Sequence, residues 1–174
     1  MMSVDPEEPG FIVRTGERVI AADSHGDPGG MVVIGLHGTP GSRRSALPDA
    51  DLLQRLGLRY VTYDRPGYGR STPLPGRTVF DAAADVGAVL DQLGADRCIV
   101  IGGSGGAPHA LACAAGLPGR VAAVTMVVPP APIDQMGPET YFAGMDSSTA
   151  ELFRLAYTGG VAAVVGPSGV IGAF

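Results

Sequence analysis

The chain has 174 residues, 45% of them hydrophobic and 17% charged, which suits one domain with a real core and argues against disorder. Its net charge of −5 argues against a nucleic-acid surface or a polybasic membrane patch. All 12 basic residues are arginine, and with neither lysine nor asparagine present a Walker A loop, a pyridoxal Schiff base and an N-glycosylation acceptor are excluded.

The first ten residues are acidic and proline-bearing, with no basic start and no apolar run, so they do not read as a signal peptide. Phe11–Val13 and Arg18–Ala21, joined through Thr15-Gly16-Glu17, read as a hairpin. A polar loop from Asp23 to Gly30 follows and contains His25. Met31–Leu36 is a continuous apolar run, the mark of a strand buried on both faces. After HGTPGS (37–42), Ala46–Leu56 reads as a helix closed by Gly57, and Leu58–Tyr63 as the next strand.

The turn-rich segment DRPGYGRS (64–71) leads to Thr78-Val79-Phe80-Asp81, a capping box with Asp in place of Glu. The helix it opens is expected to bury Phe80, Ala83, Ala84, Gly87 and Leu90 and to stop at Gly94. Arg97–Ile101 is a strand, GGSGG (102–106) a turn, Ala107–Ala115 a helix of small residues, and Val121–Val128 the sixth strand. Neither Val121–Val128 nor any other apolar stretch is long enough to cross a bilayer. Cys98 and Cys113 sit in apolar segments and read as core hydrophobes, not a disulfide; a cytoplasmic location is expected. Beyond Pro129, PPAPID reads as a stiff connector and Ser148–Tyr157 as a helix burying Leu152, Leu155 and Ala156, before a Gly/Ala/Val-rich tail. Alternating strands and helices after an opening hairpin predict an α/β fold, a mostly parallel sheet flanked by helices.

The sharpest chemical signal is Gly102-Gly103-Ser104-Gly105-Gly106 between a buried strand and a helix, the context a nucleophile elbow requires. A plain glycine-rich turn that permits close packing is the bland alternative. A dinucleotide loop is disfavoured by Pro108, which stands where that motif has Gly or Ala.

With these segments in view, the chain resembles the α/β-hydrolases. HGTPGS resembles their HGxPGS loop, DRPGYGRS their D-x-x-G-x-G-x-S turn, and GGSGGAPHALA (102–112) their elbow and its helix, in the family's order. The glycine loop is also similar to that of proline iminopeptidases, although those carry HGGPG and a tryptophan after the serine, and this chain has neither. The resemblance implies Ser104 as nucleophile and two oxyanion-hole N–H donors, on Gly105 and Thr39. Pro40, with no N–H, cannot serve. It further implies a small ester, thioester or amide substrate, since relatives acting on epoxides or alkyl halides use a carboxylate nucleophile. No cofactor or metal is called for.

The family's order of serine, acid, then histidine is not completed. The histidines are His25, His37 and His109, none beyond position 109. His37 is expected to hold backbone in the oxyanion loop, and His109 to lean against its own helix. Asp134 is a weak acid candidate, with a place in the connector or lid as the blander reading. Asp64 is expected to fix its loop with Arg65 or Arg70.

Residues 1–132 therefore read as an incomplete hydrolase core that apparently lacks its last two strands, and residues 133–174 as the start of a lid. Three readings stay open: a serine hydrolase, weak or inactive in this form; a noncatalytic binding module; and an interaction module. Self-association, or a partner at the open sheet edge, is expected; nucleic acid and membrane are not.

Overall fold

The computed structural model describes residues 10–45 and 47–164. The chain divides into two compact units, 1–130 and 131–174.

In the first unit, β1 (Phe11–Thr15) and β2 (Arg18–Gly26) form the expected hairpin, turning at Gly16 with φ +59°. β3 (Met31–Leu36), β4 (Leu58–Tyr63), β5 (Cys98–Gly103) and β6 (Val121–Val127) complete a six-stranded sheet of order β1-β2-β4-β3-β5-β6. β1/β2 and β2/β4 are antiparallel, and the other pairs are parallel. β2 runs further than expected. His25 lies in the strand, opposite Tyr60, because the ladder with β4 continues to Gly26.

Two helices, α2 (Asp81–Leu93) and α3 (Ala107–Gly116), cover one face of the sheet. Val86, Val89, Leu90, Ala110 and Cys113 meet Ile34, Val61, Tyr63 and Val100 there. On the other face α1 (Ala50–Arg55) packs against β2 and β4, with Leu53 beside Val33 and Tyr60. Cys98 and Cys113 are free, buried thiols; burial pushes Cys113 up to about 12.

Three helical expectations need correction. α1 starts at Ala50 instead of Ala46, a residue outside those described, because Asp49 accepts a bond from the Leu52 amide at 2.7 Å and caps the helix after Pro48. The capping box at α2 forms only in half: the Asp81 carboxylate accepts from the Thr78 amide at 2.7 Å and from its hydroxyl at 3.0 Å, but Thr78 Oγ1 accepts from the Phe80 amide at 3.2 Å. The buried face of α2 is only partly the expected one, since Ala83, Gly87 and Leu90 are buried but Phe80 and Ala84 are not. Phe80 is 63% exposed and Ala84 is exposed, while Ala82, Val86 and Val89 go inside beside Asp85, whose carboxylate takes Arg18 at 2.7 Å. Val86 and Val89 fill the sheet groove, and the helical setting that places them there brings Asp85 to its cation.

The second unit holds α4 (Ile133–Met136), α5 (Pro138–Phe142) and α6 (Ser147–Val164). The expected connector is therefore partly helical. Of the three positions expected to be buried in α6, Leu152 is half-buried, whereas Leu155 and Ala156 are exposed. Phe142 is buried beneath the Arg154 guanidinium, 4.6 Å from its ring centre. The end of the Gly/Ala/Val-rich tail lies outside the described residues. Among those described, no helix is long and apolar enough to cross a membrane.

Candidate active site

β5 delivers Gly103 in extended conformation (φ −98°, ψ 136°), and Ser104 then reverses the chain at φ +47° into the turn Ser104–Gly106 that opens α3. A positive φ is unfavourable for any residue with a Cβ, so this turn holds strain at a solvent-exposed serine. The flanking glycines make it possible. A Cβ on Gly102 would lie 2.5 Å from the Gly106 carbonyl oxygen, and one on Gly106 would overlap the Leu36 carbonyl. Pro108 sits in the first turn of α3, where a missing N–H costs nothing. Among the described residues the Ser104 hydroxyl has no partner.

The HGTPGS loop comes in against this elbow. A Cβ on Gly38 would lie 3.3 Å from the Ser104 Cβ, and one on Gly105 would lie 3.3 Å from the Thr39 nitrogen. The backbone around both expected donors thus flanks the serine. Beside it opens an apolar cavity of about 460 Å³, bordered by Gly35, Tyr60, Ile101, Ser104, Val127 and Val128 among others. Val128, the residue after β6, has φ +44°, a strained setting for a β-branched residue, and is 77% exposed at the rim.

Two buried arginines brace the loops. Asp64, fully buried, accepts from the Arg43 guanidinium at 2.7 Å, the Arg43 amide at 2.8 Å and the Arg70 amide at 3.1 Å. Its principal partner is therefore Arg43 of the glycine loop, and Arg70 contributes through its backbone. Arg65 instead donates to the Gly38 carbonyl and to Thr39 Oγ1, both at 2.9 Å, and stacks on Tyr68 at 4.8 Å.

The histidines are occupied. Arg65 N–H donates to His37 Nε2 at 3.2 Å, so the ring proton is on Nδ1 and goes to the Gly38 carbonyl at 2.8 Å. His109 Nδ1–H donates to the Gly105 carbonyl at 2.9 Å, while Nε2 accepts from Arg65 and Arg77, each at 3.3 Å. Burial first, and then the Arg65 charge, lower His109 to about 4, and burial also lowers His37. His25 lies on β2, away from the elbow's strand. Asp134 lies in α4 of the second unit, exposed, and takes a bond from the Tyr157 hydroxyl at 3.4 Å. No cluster among the described residues could hold a metal ion.

The buried neutral histidines have a measurable consequence. Between about pH 6.5 and 4 the unfolded chain binds a proton at His109 that the folded chain refuses, so stability falls as pH falls through that window. His37 acts in the same sense, while Asp85, raised by burial, gains a proton more easily in the fold and opposes them at the acid end. Urea unfolding at stepped pH should show this slope, and His109→Gln should flatten it.

The sequence pattern of the alpha/beta hydrolase fold family matches residues 32–154, a stretch that holds both loops, the elbow and the sheet from β3 to β6. The chain belongs to that family.

Proline iminopeptidase of Xanthomonas citri is 34% identical over 119 residues, covering 64% of this chain and 36% of the relative. Epoxide hydrolase B of Mycobacterium tuberculosis is 37% identical over 119 residues, covering 66% and 33%. Among solved structures, Est816, described as an N-acyl homoserine lactone degrading enzyme, aligns with TM-score 0.61 at 25% identity over 86% of this chain and 54% of its own. The chain thus spans about a third of the length of these two curated relatives. Arg43 is the site residue that sequence reasoning did not single out, and Arg65, expected at Asp64, serves the glycine loop instead. Each acts on atoms more than twenty residues away, and only the adjacent DRPGYGRS and HGTPGS motifs hinted at their place.

Proposed function

We propose that this family member carries the nucleophile and oxyanion half of a serine hydrolase acting on a small ester, thioester or amide. One observation carries the reading: Ser104 stands exposed at φ +47° beside an apolar cavity, with the Thr39 and Gly105 backbone against it. In acyl transfer the serine oxygen attacks a carbonyl carbon, and charge develops on the carbonyl oxygen. N–H groups fixed at that oxygen lower the barrier because they need no reorganisation. Thr39 and Gly105 supply those groups in this reading. The α3 N-terminus adds a favourable partial charge. The cavity takes the apolar part of a small-molecule substrate.

The base is the open element. His37 and His109 spend both ring nitrogens on backbone and arginine, so neither takes a proton from Ser104. Asp134 is the acid that the chain order admits, and it has no histidine to orient. Residual acceleration without a complete triad is about 10³–10⁴ over water. The occupied histidines also favour a second reading, a binding module that keeps the cavity without turnover. Among the described residues the outer edge of β6 is unpaired, with Met126 and Val127 exposed, and it is the place for self-association or a partner in either case. Residues 133–174 are read as the start of a lid.

A fluorophosphonate probe separates the two readings. Slow labelling mapped to Ser104 by peptide mass spectrometry, and lost in Ser104→Ala, is the expected result. Saturable binding of a p-nitrophenyl ester with neither labelling nor hydrolysis would support the binding module instead.

A further inference from the structure

Arg65 is 2% exposed, and among the described residues no carboxylate pairs with it. Burying a guanidinium is costly, and here no ion pair offsets the cost. Its partners are all neutral and all belong to the oxyanion machinery: the Gly38 carbonyl, Thr39 Oγ1, His109 Nε2 and the Tyr68 ring.

The Gly38 carbonyl and the Thr39 N–H are two ends of one trans peptide. Whatever grips that oxygen aims the Thr39 hydrogen in the opposite direction. Two donors grip it, His37 Nδ1–H at 2.8 Å and the charged Arg65 Nη2 at 2.9 Å. A charged donor polarises the whole peptide and strengthens its N–H at the far end. The same guanidinium reaches the other side of the site. Nη1 donates to His109, whose Nδ1–H holds the Gly105 carbonyl at 2.9 Å and so fixes the backbone that carries the second donor. The Arg65 amide, given to His37 Nε2, sets the tautomer that lets His37 share the grip.

We propose that Arg65 is a positioning residue for the reaction at Ser104, aiming and polarising the Thr39 N–H directly and pinning Gly105 through His109. Its unneutralised charge favours a negative oxygen at the serine without touching substrate. This rests on the reading of Ser104 as the nucleophile.

Phenylboronic acid and benzamide test it on the full chain. The boronic acid forms a tetrahedral adduct on a serine oxygen and mimics the charged intermediate, whereas benzamide is planar and neutral. In Arg65→Met the affinity for the boronic acid should fall at least tenfold, with benzamide binding changed less than twofold. Arg65→Lys keeps a charge for the Gly38 carbonyl but loses the link to His109, and should recover part of the loss. If Arg65→Met does not fold, Arg65→Lys carries the comparison, with a boronic acid loss of about threefold and unchanged benzamide. Equal boronic acid affinity in wild type and both variants overturns the proposal, as does a parallel loss of both ligands. A wild type without a tetrahedral boron signal, or one whose signal survives Ser104→Ala, overturns the nucleophile reading itself and this inference with it.

Discussion

Gly106→Ala and Gly102→Ala are expected to cost about 3 kcal/mol or more, at or beyond the upper end of ordinary overpacking. The added Cβ meets only backbone: the Leu36 and His37 carbonyls at position 106, and the Gly106 carbonyl with the Ala107 Cα at 2.8 Å at position 102. No flexible side chain can step aside, so β3, β5 or α3 must shift. Gly103 is the control. It stands between the two in extended conformation, and a Cβ there meets nothing within 4 Å, so Gly103→Ala should be neutral or slightly stabilising. Urea unfolding of the three variants, read with fluorophosphonate labelling of Ser104, checks the contrast. Equal destabilisation at all three positions would contradict the close approach of β3 and α3.

Arg43→Met is expected to be the most damaging single change away from the elbow. It removes the guanidinium at 2.7 Å from fully buried Asp64 and at 3.0 Å from Asp23, leaving the first carboxylate charged and uncompensated. Breaking such a pair costs about 3–5 kcal/mol, which for a chain of this size lowers Tm by about 10 °C or more. Asp64→Asn should cost less, because Arg43 keeps Asp23 at 3.0 Å and position 64 keeps an acceptor. Thermal unfolding followed by circular dichroism measures both. A loss below about 1 kcal/mol would mean that water already screens the pair.

What could be read from the sequence was what is local. Glycines at 102 and 106 around a serine, between an apolar run and small residues, specify strand, turn and helix within a dozen positions, and the structure has all three. The strands were legible for the same reason, as short apolar runs ended by glycine or a polar turn, except for the polar second half of β2. The full buried face of α2 was legible only in part, because Phe80 and Ala84 fit a helical period as well as Val86 and Val89 do. What separates the two faces is the sheet groove and the Arg18 that meets Asp85 from 67 residues away. The polar neighbours of His25 predict a loop, yet pairing with Tyr60 outweighs that local preference. At the site, Ser104 and its two flanking backbones were visible as a motif. The guanidinium contacts that brace them were invisible, since nothing in the order of residues distinguishes Arg65 reaching Gly38 from Arg70 using its amide on Asp64.

The φ of +47° at Ser104 also limits which residues can succeed one another there. Asparagine and aspartate tolerate this backbone region better than most, whereas a branched Cβ is heavily penalised. Threonine, the nearest chemical substitute for serine, is therefore the poorer structural heir, while aspartate inherits the position without moving the backbone. A lineage built on this turn can exchange an alcohol for a carboxylate more readily than it can add one methyl group, so divergence at this point runs between reaction types before it runs between similar side chains.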